Sequence, residues 1–341
     1  MTVEQQCYGA QTTTDEVVAG IDLSGKTAVI TGASGGLGAE VARALASRGA
    51  TVVLASRDLQ RTQRKAEEIA EQTGNHQLQA VAIDLADLDS VRAAATAIRS
   101  SHPVIDILVN NAGVMACEFG LTKQGFESQF GVNHVGHFVF TLGLIESLQA
   151  ATAARVVVLS SGGHKYGDVD LTDPNFQQRE YNKWAAYGAA KSANAQFAVG
   201  LNQRYGSAGI TANAVHPGVI ITDLGRHLTE DDIAFLMGEN SSASSANDVS
   251  AENDSSDNVG TPQGGRGAAS MFKSVEQGAA TTVWAATSPM LTGCGGLYLE
   301  NCQVAAQVDV GVQSHGYYPH ALDSTAADAL WQLTEQLVAS C

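Results

Sequence analysis

Short apolar runs alternate with longer amphipathic stretches along this chain, and that alternation predicts its architecture. Residues 26–31 (KTAVIT) form the first apolar run, which stops at a glycine. The segment GASGGLG follows, and then Leu37, Val41 and Leu45 recur at helical spacing before a second apolar run at 51–55. Strand, glycine-rich turn, helix and strand make a βαβ unit. Further strands are expected at 79–83, 105–109, 155–159, 211–215 and 296–299, with helices at 88–98, 126–148, 186–205 and 275–286. Such alternation predicts an α/β fold in which a doubly wound, Rossmann-like parallel sheet is covered by helices on both faces. The expected layout is a polar arm over 1–20 and a single domain over 21–337. Residues 238–267, rich in Ser, Asn, Asp and Gly, interrupt the pattern as an insertion too polar to offset its own ordering entropy.

Composition narrows the class. Hydrophobic residues make up 44% of the 341 and charged residues 16%, enough for a sizeable core. A net charge of −16 argues against nucleic acid or anionic membrane as partner. Part of it is local, because residues 226–266 hold eight acidic side chains against two arginines. Cys7, Cys117, Cys294, Cys302 and Cys341 are odd in number and form no CxxC pair, which predicts reduced thiols rather than a disulfide framework or a metal site. With neither a signal-peptide pattern nor a membrane span, the reading is a soluble, cytoplasmic protein.

The candidate chemistry gathers at the carboxyl ends of the strands, where open parallel sheets bind ligands. Gly32, Gly36 and Gly38, with Ser34 and Leu37 between them, give a turn whose backbone can approach a pyrophosphate at a helix N-terminus. The second strand ends in Ser56-Arg57-Asp58. A guanidinium there suits the 2′-phosphate of NADP(H). Asp58 keeps NAD(H) open, since a one-residue shift would bring its carboxylate to the ribose hydroxyl. Asp84-Leu85 and Asn111-Ala112-Gly113 follow the next two strands and can line the same crevice.

Tyr187 and Lys191 stand four residues apart and share a helix face. An ammonium beside a phenol is expected to lower its pKa, as a bound nicotinamide cation would, fitting Tyr187 for acid/base work. Ser161, just past the fifth strand, can hold a substrate oxygen; adjacent Ser160 is the less favoured alternative. Asn133, a poor helix former, is expected to serve a buried role such as holding a water that relays protons to Lys191, while His134 and His137 are expected to be ordinary satisfied histidines.

In their order and spacing, TGASGGLG, NNAG, Asn133, Ser161, YGAAK and HPG with Thr222 resemble the classical short-chain dehydrogenase/reductase family. SRD, VNHVGHF and SPMLTGCGGLYLENCQVA look like its retinol-dehydrogenase-like branch and bacterial relatives. The resemblance implies an Asn133-Ser161-Tyr187-Lys191 tetrad, with Lys191 also on the nicotinamide ribose and Pro217, Gly218 and Thr222 bordering the nicotinamide. It further implies an NADP(H)-dependent oxidoreductase for apolar ketones, aldehydes or alcohols, and a homodimer or homotetramer. The acidic insertion falls where the family builds its substrate lid. A non-catalytic NADP-binding sensor or scaffold is the alternative; an epimerase or dehydratase on the same frame fits the glycine spacing less well.

Overall fold

In the computed structural model, residues 8–220, 223–225, 228–232 and 272–341 are described. The expected insertion at 238–267 and Thr222 lie outside them. Eight strands form one sheet: β1 (Thr27–Thr31), β2 (Thr51–Ser56), β3 (Leu78–Ala82), β4 (Ile107–Asn110), β5 (Ala154–Leu159), β6 (Ile210–His216), β7 (Tyr298–Glu300) and β8 (Gln303–Val304). Their order is β3-β2-β1-β4-β5-β6-β7-β8, with all pairs parallel except β7 with β8. The chain leaves β1 toward β2 and β3, then returns to the other side of β1 with β4. That reversal opens a crevice at the carboxyl ends of β1 and β4. The fold class read from the alternation is therefore the fold observed.

Between β1 and β2 runs α2 (Gly36–Ala46). One face of the sheet is covered by α2, by α1 (Thr14–Val17), by α3 (Leu59–Thr73) and by α9 (Val275–Thr287). The opposite face is covered by α4 (Leu88–Ser101), α6 (Gly136–Gly143), α8 (Lys183–Tyr205) and α10 (Ser324–Ala339). No helix among the described residues is long and apolar enough to cross a membrane.

The local outcome differs from the expected pattern in four places. Residues 8–20, read as part of a polar arm, carry α1, and Val17 and Val18 are buried in the core against α2 and α9. Helix α3 escaped the apolar pattern because its buried stripe is only Thr62, Ala66, Ile69 and Ala70. Its ends are nonetheless marked, by Asp58 accepting from the Arg61 amide and by Gly74 in the left-handed region. The single helix expected over 126–148 is broken into α5 (Ser128–Phe130), a π-turn over Gly131–Val135, α6, and α7 (Ile145–Gln149). The wider turn lets the Asn133 side chain leave the helix for the end of β4.

The fourth difference is α10, a C-terminal helix with a clear stripe at Ala327, Leu330, Trp331 and Thr334. It lies along α8. The Trp331 ring stacks on Phe197 with centroids 5.7 Å apart and meets Phe138 edge-on at 4.8 Å, and the Arg204 guanidinium sits 4.4 Å from its centroid. Trp331→Ala should therefore cost about 3–5 kcal/mol of folding free energy. Urea denaturation checks this through a lower midpoint at unchanged slope.

Candidate active site

Gly32 and Gly36 take φ of +69° and +55°, a region that favours glycine. A side chain on Gly38 would stand 2.5 Å from the Gly32 carbonyl oxygen and 2.6 Å from Asn111 Nδ2, so the start of α2 is pressed against the turn that leaves β1. No side chain caps the first amides of α2. They face the crevice as a backbone cradle of the kind that accepts a phosphate, so the turn fits a dinucleotide pyrophosphate. Ser34 is half-buried in this turn, and Leu37 points toward Gly278 on α9.

At the end of β2, the Ser56 hydroxyl is bonded to Thr62. Arg57 is exposed, with no partner among the described residues. The Asp58 carboxylate accepts from the Arg61 amide at 2.9 Å as the cap of α3. Sequence reasoning missed Arg61. Its guanidinium reaches back over the glycine-rich turn, with Nη2 3.0 Å from where a Gly35 Cβ would be. The i+4 spacing from Arg57 could have flagged it.

Of the next pair, Asp84 accepts from the Ala86 amide at 3.0 Å, so one carboxylate oxygen serves its own turn. Leu85 is buried, with its side chain and its carbonyl oxygen packed against Gly136. Asn111, Ala112 and Gly113 come together with the glycine-rich turn. Asn111 Nδ2 donates to the Thr31 carbonyl at 2.7 Å. The Thr31 hydroxyl accepts from the Asn111 and Ala112 amides at 2.9 and 3.0 Å and lies 2.8 Å from His137 Nε2. His137 Nδ1 is 2.9 Å from the Asn133 carbonyl, which can only accept. Nδ1 therefore carries the hydrogen and Nε2 accepts from Thr31. Neither Thr31 nor His137 was selected from sequence.

The Asn133 side chain pairs with one residue through both its oxygen and its nitrogen. It accepts from the Val114 amide at 2.8 Å and donates to the Val114 carbonyl at 2.9 Å. Asn133 is buried, and its side chain clamps the chain just after Gly113.

Two hydroxyls follow β5, and the structure separates them. Ser160 is buried and donates to the Lys191 carbonyl at 2.8 Å, a bond within the scaffold. Ser161 Oγ accepts from the Gly163 amide at 3.0 Å and lies beside the phenol of Tyr187. A side chain on Gly163 would come 2.6 Å from the Tyr187 ring. Lys191 is buried; its Nζ donates to the Leu159 carbonyl at 2.9 Å and stands 5.8 Å from the Tyr187 ring centroid. The same Nζ is 3.7 Å from where a Gly113 Cβ would be, which brings α8 to the crevice.

Burial pushes Tyr187 up to about 12, with Ser161 acting against the shift and Tyr166 adding to it. This reverses the lowered value expected from Lys191: desolvation outweighs any help from an ammonium already bonded to a carbonyl. Lys191 is itself lowered to about 8 by burial. Met115, Ala116, Tyr166, Trp184 and Leu228 pack around Tyr187 as an apolar wall. On the segment after the crevice, Pro217 and Gly218 are half-buried, and Gly218 takes φ of +97° close to the Lys273 side chain.

The pattern that defines the short chain dehydrogenase family matches residues 26–233. The chain belongs to the short-chain dehydrogenase family. It is 42% identical over 314 residues to a probable oxidoreductase of Streptomyces lividans, covering 92% of this chain and 97% of that one. Human retinol dehydrogenase 14 is 34% identical over 93% of this chain and 87% of its own length. A solved structure of an uncharacterized Mycobacterium paratuberculosis protein superposes with a TM-score of 0.67 at 32% identity, covering 96% and 98% of the two chains. As a member of this oxidoreductase family, the protein uses a nicotinamide dinucleotide and acts on small molecules.

The site rests on imidazoles that must stay neutral. Burial lowers His134 to about 3 and His137 and His164 to about 4, from an ordinary 6.5. An unfolded chain binds these protons at higher pH than the folded one. Their contribution is thus fully present above about pH 6.5 and is lost as pH falls through the folded-state values. Each imidazole adds about 1.4 kcal/mol per pH unit to the slope inside its window. Denaturant titrations at pH 7.5, 6 and 5 should show stability falling steadily; equal midpoints would contradict the neutral assignment.

Proposed function

We propose that this protein transfers a hydride between NADP(H) and the carbonyl or hydroxyl carbon of an apolar ketone, aldehyde or alcohol, with Tyr187 as general acid/base. The observation that carries this reading is the buried Tyr187–Lys191 pair, held beside Ser161 and against the turn of Gly113. The nicotinamide, when bound, supplies or accepts the hydride. The backbone of Gly32, Gly36 and Gly38 would hold the diphosphate, and Asn111, Ala112, Gly113, Pro217 and Gly218 would line the nicotinamide half.

In the reduction direction, the Ser161 hydroxyl holds the substrate oxygen and Tyr187 gives it a proton. Lys191 then lies close enough for its charge to stabilise the phenolate left behind. Because the protein alone keeps the phenol protonated, Tyr187 begins as the acid. The apolar wall of Met115, Tyr166, Trp184 and Leu228 supports an apolar substrate. Arg57 supports NADP(H): its guanidinium is exposed, whereas the Asp58 carboxylate that would favour NAD(H) is engaged as a helix cap. The thiols of Cys294, Cys302 and Cys341, in no disulfide, fit a reducing cytoplasm.

Tyr187→Phe is expected to lower turnover by at least about 100-fold while leaving NADPH affinity within about threefold. NADPH consumption against a panel of apolar aldehydes and ketones, paired with fluorescence titration of NADPH, checks this. Retained turnover would remove Tyr187 from its role, and tight NADPH binding with no consumption by the wild type would favour a sensor. Arg57→Ala should weaken NADPH by about 10-fold or more and leave NADH nearly unchanged. Equal losses for both dinucleotides would contradict the NADP(H) assignment.

A further inference from the structure

The turn that carries Ser161 is held by a histidine outside the expected tetrad. We infer that His164 is a positioning residue: it fixes the backbone from which the Ser161 hydroxyl projects and ties that backbone to the C-terminal loop. The inference rests on the role proposed for Ser161.

The hydrogen-bond logic is closed. The Tyr318 amide can only donate, and it lies 3.1 Å from His164 Nε2. Nε2 must therefore be the acceptor, which puts the ring hydrogen on Nδ1. That nitrogen is 2.7 Å from the Ser161 carbonyl oxygen. The same oxygen receives the Tyr298 hydroxyl at 2.9 Å. With the His164 amide donating to the same oxygen at 3.1 Å, three donors on one carbonyl hold Ser161 in an extended conformation, φ −166° and ψ 157°, as its side chain accepts from Gly163. The next peptide is held from the other side, with the Gly162 amide donating to His216 Nδ1 at 3.0 Å.

A histidine that only fills space need not bond through both nitrogens. His134, equally buried, bonds Thr334 through Nε2 and leaves Nδ1 without a partner. His164 uses both, and each bond goes to a different segment of the chain. Its neighbour repeats the pattern: Lys165 Nζ donates to the Val312 and His315 carbonyls at 2.9 and 2.6 Å. The His164 carbonyl lies 3.2 Å from His320 Nε2 on the same loop. The loop over 312–320 and the turn over 161–165 are thus tied together by bonds from both His164 and Lys165. A displacement of the hydroxyl by about 1 Å is enough to cost up to about 100-fold in rate.

The test separates the ring from the donor. His164→Phe keeps the ring volume and loses the Nδ1–H; His164→Asn loses the ring but offers an amide donor to the same carbonyl. Turnover of nonanal with NADPH and amide hydrogen exchange of the peptide over 160–167 are read for both, with Ser161→Ala and Tyr298→Phe alongside. His164→Phe is expected to lower kcat about 10- to 100-fold with NADPH affinity unchanged and to speed exchange over 160–167, whereas His164→Asn stays within about fivefold of wild type. The reverse ranking, or a His164→Phe protein within about twofold of wild type in exchange, overturns the inference. Exchange decides the outcome whether or not nonanal is turned over. Should His164→Phe fail to fold, Tyr298→Phe, which removes the second donor, is expected to speed exchange over the same peptide, and wild-type exchange there overturns the inference. Wild-type turnover in Ser161→Ala would instead strike the Ser161 reading, leaving the exchange result to judge the hold of His164.

Discussion

The site depends on how one hydroxyl closes the gap between two diverging strands. At the carboxyl ends of β1 and β4 the chain must leave the sheet in opposite directions, which strips both strand ends of ladder partners. Thr31 Oγ1 takes the amides of Asn111 and Ala112 and gives its hydrogen to His137, whose other nitrogen holds the Asn133 carbonyl. Four segments are fixed through this atom: the glycine-rich turn, the turn after β4, the π-turn and the first turn of α6. Thr31 Oγ1 and both nitrogens of His137 have partners of the right kind, so this network holds only while His137 is neutral.

Burial sets the resting charges of the site. The phenol of Tyr187 and the ammonium of Lys191 are both dry, and dryness pushes both toward their neutral forms. The protein alone therefore stores a proton on Tyr187. What makes the phenolate accessible must arrive with the ligands, as charge brought next to the phenol or as an oxygen that takes its proton. The small residues around it serve this geometry. Gly163 lets the turn of Ser161 lie on the ring, and Gly113 leaves room beside Lys191 Nζ.

Much of this was legible in the sequence for physical reasons. Buried parallel strands show as short apolar runs, and the glycine-rich turn, Asn111, Ser161 and the Tyr187–Lys191 pair all fall where those runs end. The parts that escaped lack such a signal. Helix α3 hides its core face behind alanine and threonine, so only its caps speak for it. The π-turn costs no change in composition; it follows from Asn133 reaching Val114, a contact 19 residues away. Thr31, His137 and His164 act through partners up to 154 residues distant, and no local pattern encodes those pairings. The protonation of Tyr187 departs from the sequence expectation because the cost of burial exceeds the effect of a neighbouring charge. Helix α10 differs from these, because its stripe of Ala327, Leu330, Trp331 and Thr334 is a readable helical pattern.

The covering of α8 by α10 settles how much of that helix is open to the outside. From Trp184 to Leu201 only Ala185 escapes full burial, with the sheet beneath and α10 above. Over these turns the helix is enclosed by its own polypeptide, and it opens to solvent only in its last turn, at Gln203. The turns that bear Tyr187 and Lys191 are thus set in place by packing within the chain itself.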